Sequence, residues 1–240
     1  MYKRVLIKLS GEALKQDKTD NIFDTDYIKE VAKMIKSLTD HKIEVAVVIG
    51  AGNIYRGKIA EETGIDRVPA DYMGMFGTVI NALMMASLLD KMGVKSKVFS
   101  ALNGVEDIVL KYEENAAKTA LNDGNIVFLA GGTGKPFFTT DTASTMRAIE
   151  LNCDAILMGK NGVLGVYDSD PRINKDAKLF KDITYNEILK LGLTVMDDSA
   201  VELIKNTDIE IRVFSMNDLG NFLRAASGED IGTRCHKEEK

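Results

Sequence analysis

Five apolar residues meet three glycines in Ile126-Val127-Phe128-Leu129-Ala130-Gly131-Gly132-Thr133-Gly134, and nothing else in the chain constrains its fold as much. An apolar run without alternation suits a strand buried on both faces, as in a parallel sheet. The glycines break that strand and leave backbone N–H groups free to face an anion. Lys135-Pro136-Phe137-Phe138-Thr139-Thr140-Asp141 follows, and Thr142 to Leu151 reads as a helix. Strand, glycine turn and helix N-terminus together make a phosphate site on physical grounds. Glycines needed only for bending would leave the same letters, and this stretch alone does not choose. It is not a P-loop: the first glycine of G-x-x-x-x-G-K-[ST] would fall on Leu129, and Pro136 stands where Ser or Thr is required.

The arrangement recurs upstream. Val45-Ala46-Val47-Val48-Ile49 runs into Gly50-Ala51-Gly52-Asn53, with Arg56 shortly beyond. Tyr55 excludes a G-x-G-x-x-G fingerprint. The forked donors of Arg56 suit phosphate, which favours an anion site over a simple bend. Val5-Leu6-Ile7-Lys8-Leu9 is a strand with a lysine near its end, followed by Ser10-Gly11. Such a lysine either lies on a sheet edge or points into a site at the carboxyl ends of the strands.

Further strands are predicted at Lys97 to Phe99, at Ala155 to Met158 leading into Gly159-Lys160-Asn161, and at Glu210 to Phe214. Helical spacing begins at Tyr27 with Ile28, Val31, Ala32, Ile35 and Leu38. Helices are also predicted over 71–92, 109–121, 185–191, 199–206 and 219–226. Asp71 opens the Met-rich helix, where a carboxylate suits the helix dipole. Lys15 to Thr25 reads as loop, Val163 to Tyr167 as a short extended piece, and the tail from Glu229 as frayed. Strand–helix alternation predicts an α/β fold, a three-layer α/β/α sandwich on a mainly parallel sheet, with residues 1–240 forming a single domain.

Composition narrows the partners. A net charge of −5 argues against a general nucleic-acid or anionic-membrane surface, so an anionic ligand needs a local cluster of cations. No apolar run is read as approaching a membrane span, and the N-terminus enters a strand with no signal region. Cys153 and Cys235 match neither a disulfide framework nor a CxxC motif, so no metal site is expected and cytoplasm is the expected compartment. His41 and His236 fall outside any candidate site.

Six motifs in order carry a resemblance. They are Lys8-Leu9-Ser10-Gly11-Glu12-Ala13-Leu14, Val48-Ile49-Gly50-Ala51-Gly52-Asn53-Ile54-Tyr55-Arg56-Gly57, Asp71-Tyr72-Met73-Gly74-Met75, the run from Gly132 to Asp141, Gly165-Val166-Tyr167 before Asp170-Pro171, and Ile211-Arg212-Val213-Phe214. With these in place the chain resembles the bacterial UMP kinases of the amino acid kinase family, from Lys3 to about Gly232. The resemblance implies transfer of the ATP γ-phosphoryl group to UMP, with Mg²⁺ accompanying ATP. It implies that Lys8, Leu9, Ser10, Gly11, Gly52 and Arg56 hold the ATP phosphates, and Asn161, Tyr167 and Asp170 the adenosine. UMP would be held by Ala51, Asp71, Thr133, Gly134, Lys135, Pro136, Phe137, Phe138, Thr139 and Thr140, with Lys8, Arg56 and Asp141 catalytic. It further implies a homohexamer, UTP as inhibitor, and in many relatives activation by GTP. Activation by GTP is expected to be weak or absent here, because Ala86-Ser87 replaces an Arg-Asp pair.

The chain departs from the family pattern at Ala51, at Leu164 and at Met158, and Lys160 is the candidate second cation. A sibling kinase of carboxylates or carbamate would share the fold, but the Thr139-Thr140 run counts against it. A silent nucleotide sensor would not need Lys8, Arg56 and Asp141.

Overall fold

The computed structural model describes residues 1–15 and 21–238 of the chain. Among them, nine strands form one sheet. In chain order they are β1 (Arg4–Leu9), β2 (Glu44–Ile49), β3 (Ser96–Ser100), β4 (Leu110–Lys111), β5 (Ile126–Ala130), β6 (Ala155–Lys160), β7 (Asp182–Thr184), β8 (Glu210–Ser215) and β9 (Thr233–His236). The spatial order is β4-β3-β5-β2-β1-β6-β8-β9-β7, parallel throughout except where β9 runs against β8.

Alternation along the central strands splits the core in two. Val5, Ile7 and Leu9 face one side with Val45, Val47 and Ile49, while Leu6, Ala46 and Val48 face the other. The helices are α1 (Thr25–Asp40), α2 (Gly57–Thr63), α3 (Arg67–Lys91), α4 (Glu114–Asn122), α5 (Thr140–Glu150), α6 (Tyr185–Leu191), α7 (Asp198–Ile204) and α8 (Asn221–Ala226). Residues of α1, α3 and α8 fill the first core, and residues of α4, α5, α6 and α7 the second. Helices thus cover both faces, giving the predicted three-layer α/β fold.

Several local expectations are corrected. The Met-rich helix begins at Arg67, not Asp71. Pro69 lies in its first turn, where a missing N–H costs nothing, so proline opens this helix instead of excluding it. Asp71 is therefore an interior helix residue and not a cap, and its carboxylate meets Arg67 and the Phe137 N–H. The helix predicted over 109–121 starts only at Glu114; Leu110–Lys111 instead pairs with β3 as a short edge strand. Over the described residues 229–238 the tail is not frayed: β9 closes against β8 and β7, with Thr233 and Cys235 buried. Arg234 and His236, on its outward side, meet Asp182 at 2.7 and 2.6 Å. Sequence reading took those charges for solvated ones because their partner lies 52 or more positions away. Of the loop read from Lys15 to Thr25, residues 16–20 lie outside the described residues, and Thr25 already begins α1. The extended piece ends in a single bridge between Tyr167 and Leu179.

By length and composition α3 is a helix that could cross a membrane, which the reading of apolar runs overlooked. Half of its most apolar window is buried within the fold, where it packs on β2, β3 and β5.

One close contact involves Ala51, a departure noted in the sequence. A Cβ added at Gly77 of α3 would stand 2.8 Å from the Cβ of Ala51. Gly77→Ala should therefore lose about 1–3 kcal/mol to overpacking, against about 1 kcal/mol gained in helix propensity. Adding Ala51→Gly removes the clash and keeps the gain. Thermal melts should find the double variant more stable than Gly77→Ala alone, and equal stability would refute the pairing.

Candidate functional site

Lys8 occupies the middle of the sheet, with Val48 and Met158 as its register partners on either side. An edge position is thereby excluded. On β1 it shares the face of Leu6, so its side chain rises towards α5 and ends at Asp141, Nζ to Oδ1 2.6 Å. Both side chains are largely covered, 14% and 22% exposed. Asp141 lies in the first turn of α5, whose N-cap Thr139 accepts a hydrogen bond from the Thr142 N–H. The Thr139 hydroxyl donates to Asp197, itself the N-cap of α7.

Lys160 ends β6 on the same side. Met158 is a core residue, and Lys160 two positions on reaches the gap. Its Nζ donates to the Val195 carbonyl at 3.1 Å. Burial lowers its pKa, the nearby charge of Lys8 lowers it further, and Asp141 opposes both. Two ammonium groups and one carboxylate leave an excess of positive charge at the carboxyl ends of β1 and β6.

A cavity opens on each side of this cluster. The first, about 620 Å³, is lined by Ala51, Gly52, Arg56, Asp71, Thr133, Lys135, Phe138, Thr139 and Thr140 among others. The second, about 590 Å³, is walled by Lys160, Asn161, Tyr167 and Asp170, and across from them by the stretch 191–195. A smaller hollow of about 250 Å³ lies over Glu12, Lys15, Gly52, Asn53 and Arg56.

The residues singled out from sequence fall into these places unevenly. Seven of the ten assigned to the acceptor nucleotide line the first cavity, while Gly134, Pro136 and Phe137 do not. Gly134 has a positive φ of 75° and packs so tightly that a Cβ would meet the Ala101 carbonyl oxygen at 2.6 Å. Phe137 is also left-handed, at φ 72°, and its N–H donates to Asp71 Oδ2 at 2.7 Å. Asp71 Oδ1 meets Arg67 at 2.7 Å. Leu9 is wholly buried, so only its backbone is available to a ligand, whereas Ser10 is exposed. Arg56 reaches back to Glu12 Oε1 (3.0 Å) and the Gly52 carbonyl (3.1 Å), yet its side chain is 61% exposed. Asp170 is held by Arg172, whose hydrogen bonds lower the carboxyl pKa.

Sequence reasoning missed several contributors. Asp197 lies just before the helix predicted over 199–206, and its approach to Thr139 depends on α5 and α7 packing together. Arg147 is buried, pairs with Glu150 at 2.6 Å and stacks 3.7 Å from the Tyr112 ring centroid. Its other nitrogen reaches the Gly132 carbonyl at 3.4 Å. The sole sequence signal was an arginine on an otherwise inward helix face.

Comparison with known proteins points one way. The model for the amino acid kinase family matches residues 3–215. A uridylate kinase of Streptococcus thermophilus (strain ATCC BAA-491 / LMD-9) is 47% identical over 232 residues, covering 97% of this chain and 94% of the relative. One from Mycoplasmopsis pulmonis is 44% identical over 229 residues, or 95% and 94%. Among solved structures, a UMP kinase from Bacillus anthracis superposes with a TM-score of 0.95 at 42% identity, over 99% of this chain and 97% of that one. A UMP kinase from Ureaplasma parvum gives 0.92 at 37% identity, over 99% and 100%.

Proposed function

The chain belongs to the amino acid kinase family, and from that premise we propose that it transfers the γ-phosphoryl group of ATP to UMP, giving UDP and ADP. The observation that carries the reading is the placement of Lys8, Lys160 and Asp141 between two cavities of nucleotide size. Phosphoryl transfer asks for alignment and charge neutralisation more than for a base. A UMP phosphate is already ionised and needs no deprotonation.

We assign UMP to the first cavity, with Asp71 at the ribose and the segment 133–140 around the base. The adenosine of ATP goes to the second, beside Asn161, Tyr167 and Asp170. The phosphates then meet over Lys8, Gly11, Gly52 and Lys160. Asp141 holds the Lys8 ammonium in place, so the charge is set before the reaction begins. Arg56, exposed and held only by Glu12 and a carbonyl, is free to turn onto a phosphate that offers it a better partner. Among the described residues no three metal-binding side chains cluster. A Mg²⁺ carried in on the ATP phosphates would neutralise their charge, with Asp141, 2.6 Å from the Lys8 ammonium, the carboxylate nearest to hand. The whole chain is read as one domain working in the cytoplasm.

Acceptor choice tests the assignment. ADP release across UMP, dUMP, CMP, carbamate and acidic amino acids should favour UMP, with kcat/KM for CMP lower by about 10² or more. Equal use of UMP and CMP would remove the uridylate assignment. UTP should compete for the same cavity, and activation by GTP should be weak.

We also infer a homo-oligomer, a hexamer by family resemblance. Val68, Tyr72, Phe76 and Ile80 lie four apart on α3, each 38–49% exposed, and form an apolar stripe that a second copy would cover. Light scattering at micromolar concentration should show the oligomer; a monomer would refute it.

A further inference from the structure

The buried face of α3 carries three polar side chains among its apolar ones. Asp71 and Thr78 are seven apart, about 20° round the helix, and Asn81 follows within a turn. Two are fastened to the β5–α5 connection and the third to the turn after β2. Asp71 accepts from the Phe137 N–H at 2.7 Å, and Thr78 Oγ1 from the Gly131 N–H at 2.8 Å. Asn81, with no exposed surface, donates from Nδ2 to the Gly50 carbonyl at 2.7 Å.

The third contact reaches furthest. Asn81 and Asn53 exchange amide hydrogen bonds of 2.8 and 3.0 Å, and Asn53 also donates to the Ile22 carbonyl at 3.0 Å. The Gly50 N–H donates to the carbonyl of Leu9, the residue after Lys8, at 2.9 Å. One residue, Gly50, is therefore held on both sides, by the end of β1 through its N–H and by α3 through its carbonyl oxygen. An amide in the middle of a helix otherwise weakens it, and burying one without partners is costly. Here every polar atom of the Asn81 amide is used.

We propose that Asn81 is a positioning residue for phosphoryl transfer: through Gly50 it sets the height of the Lys8 strand end relative to the acceptor cavity, which the same helix shapes through Asp71 and Thr78. The inference rests on the kinase reading. Removing the Asn81 donor frees the Gly50 peptide to tilt, and small misplacements of reacting groups cost about 10² in rate. In the placement proposed above UMP rests on Asp71 and the segment 133–140, so its binding survives.

The test pairs Asn81→Ala with Asn53→Ala. Both break the reciprocal amide bonds, but only the first removes the bond to Gly50. Asn81→Ala should lower kcat about 10- to 100-fold, with KM for UMP and calorimetric UMP binding within threefold. Asn53→Ala should lose a similar amount of melting temperature but less than threefold in kcat. Equal losses of kcat in the two variants, or an unchanged kcat in Asn81→Ala, would overturn the proposal. If Asn81→Ala does not fold, Asn81→Ser is read by the same criteria, and should lose more kcat than Asn53→Ala. The unaltered protein is the separate control: if it does not phosphorylate UMP, the functional reading fails and not this inference alone.

Discussion

Lys8→Ala is expected to lower kcat by about 10²–10³ while the Kd for UMP changes only a few-fold. The lysine lies outside the wall of either cavity and is fixed at 2.6 Å from Asp141. It therefore contributes little to holding UMP in its ground state. Its charge matters where negative charge gathers between donor and acceptor, and a group acting there changes turnover more than affinity. Loss of the lysine also leaves Asp141 largely covered without its partner, which adds repulsion towards the phosphates. Steady-state kinetics with calorimetry of UMP binding separates the two effects. An unchanged kcat would remove Lys8 from the chemistry.

Gly11→Ala should be as damaging to turnover, by another route. A Cβ at Gly11 would lie 2.4 Å from Gly52 N, 2.5 Å from Asn53 Oδ1 and 2.6 Å from the Gly50 carbonyl oxygen. Two of these atoms are backbone and the third is locked in the buried asparagine pair, so none can swing aside. The two phosphate-facing turns must separate. Overpacking of this kind costs about 1–3 kcal/mol of stability, and displacing the turns about 10² in kcat. The glycine is required by close approach, since its φ is not among the positive ones. Thermal melting together with kcat at saturating substrates checks both. A variant that keeps the native kcat would show that the turns are looser than their packing implies.

Much of this was legible in the chain. The apolar runs Val45 to Ile49 and Ile126 to Ala130 predicted a sheet buried on both faces, because only such a sheet lacks a polar side. The glycines after them marked turns at the carboxyl ends, and Lys8, Arg56 and Asp141 could be singled out by charge next to those turns. Boundaries followed propensity poorly where a proline opened a helix, as at Pro69, or where a charged strand relied on distant partners, as in β9.

What the sequence by itself determined was the class of fold and the kind of ligand. Both depend on local pattern: runs of apolar residues, glycines and neighbouring cations. Tertiary structure alone decided that Lys160 comes near Lys8 and Asp141, and that Asp197 joins Thr139. It also placed Asn81 behind Gly50. Each of these pairs is brought together by strand order or by helices packing on the same face, and long-range contact of that kind leaves no periodicity along the chain. The Ala51–Gly77 contact is the smallest example: either residue alone reads as an ordinary small side chain, and only the 2.8 Å between their Cβ positions ties one to the other.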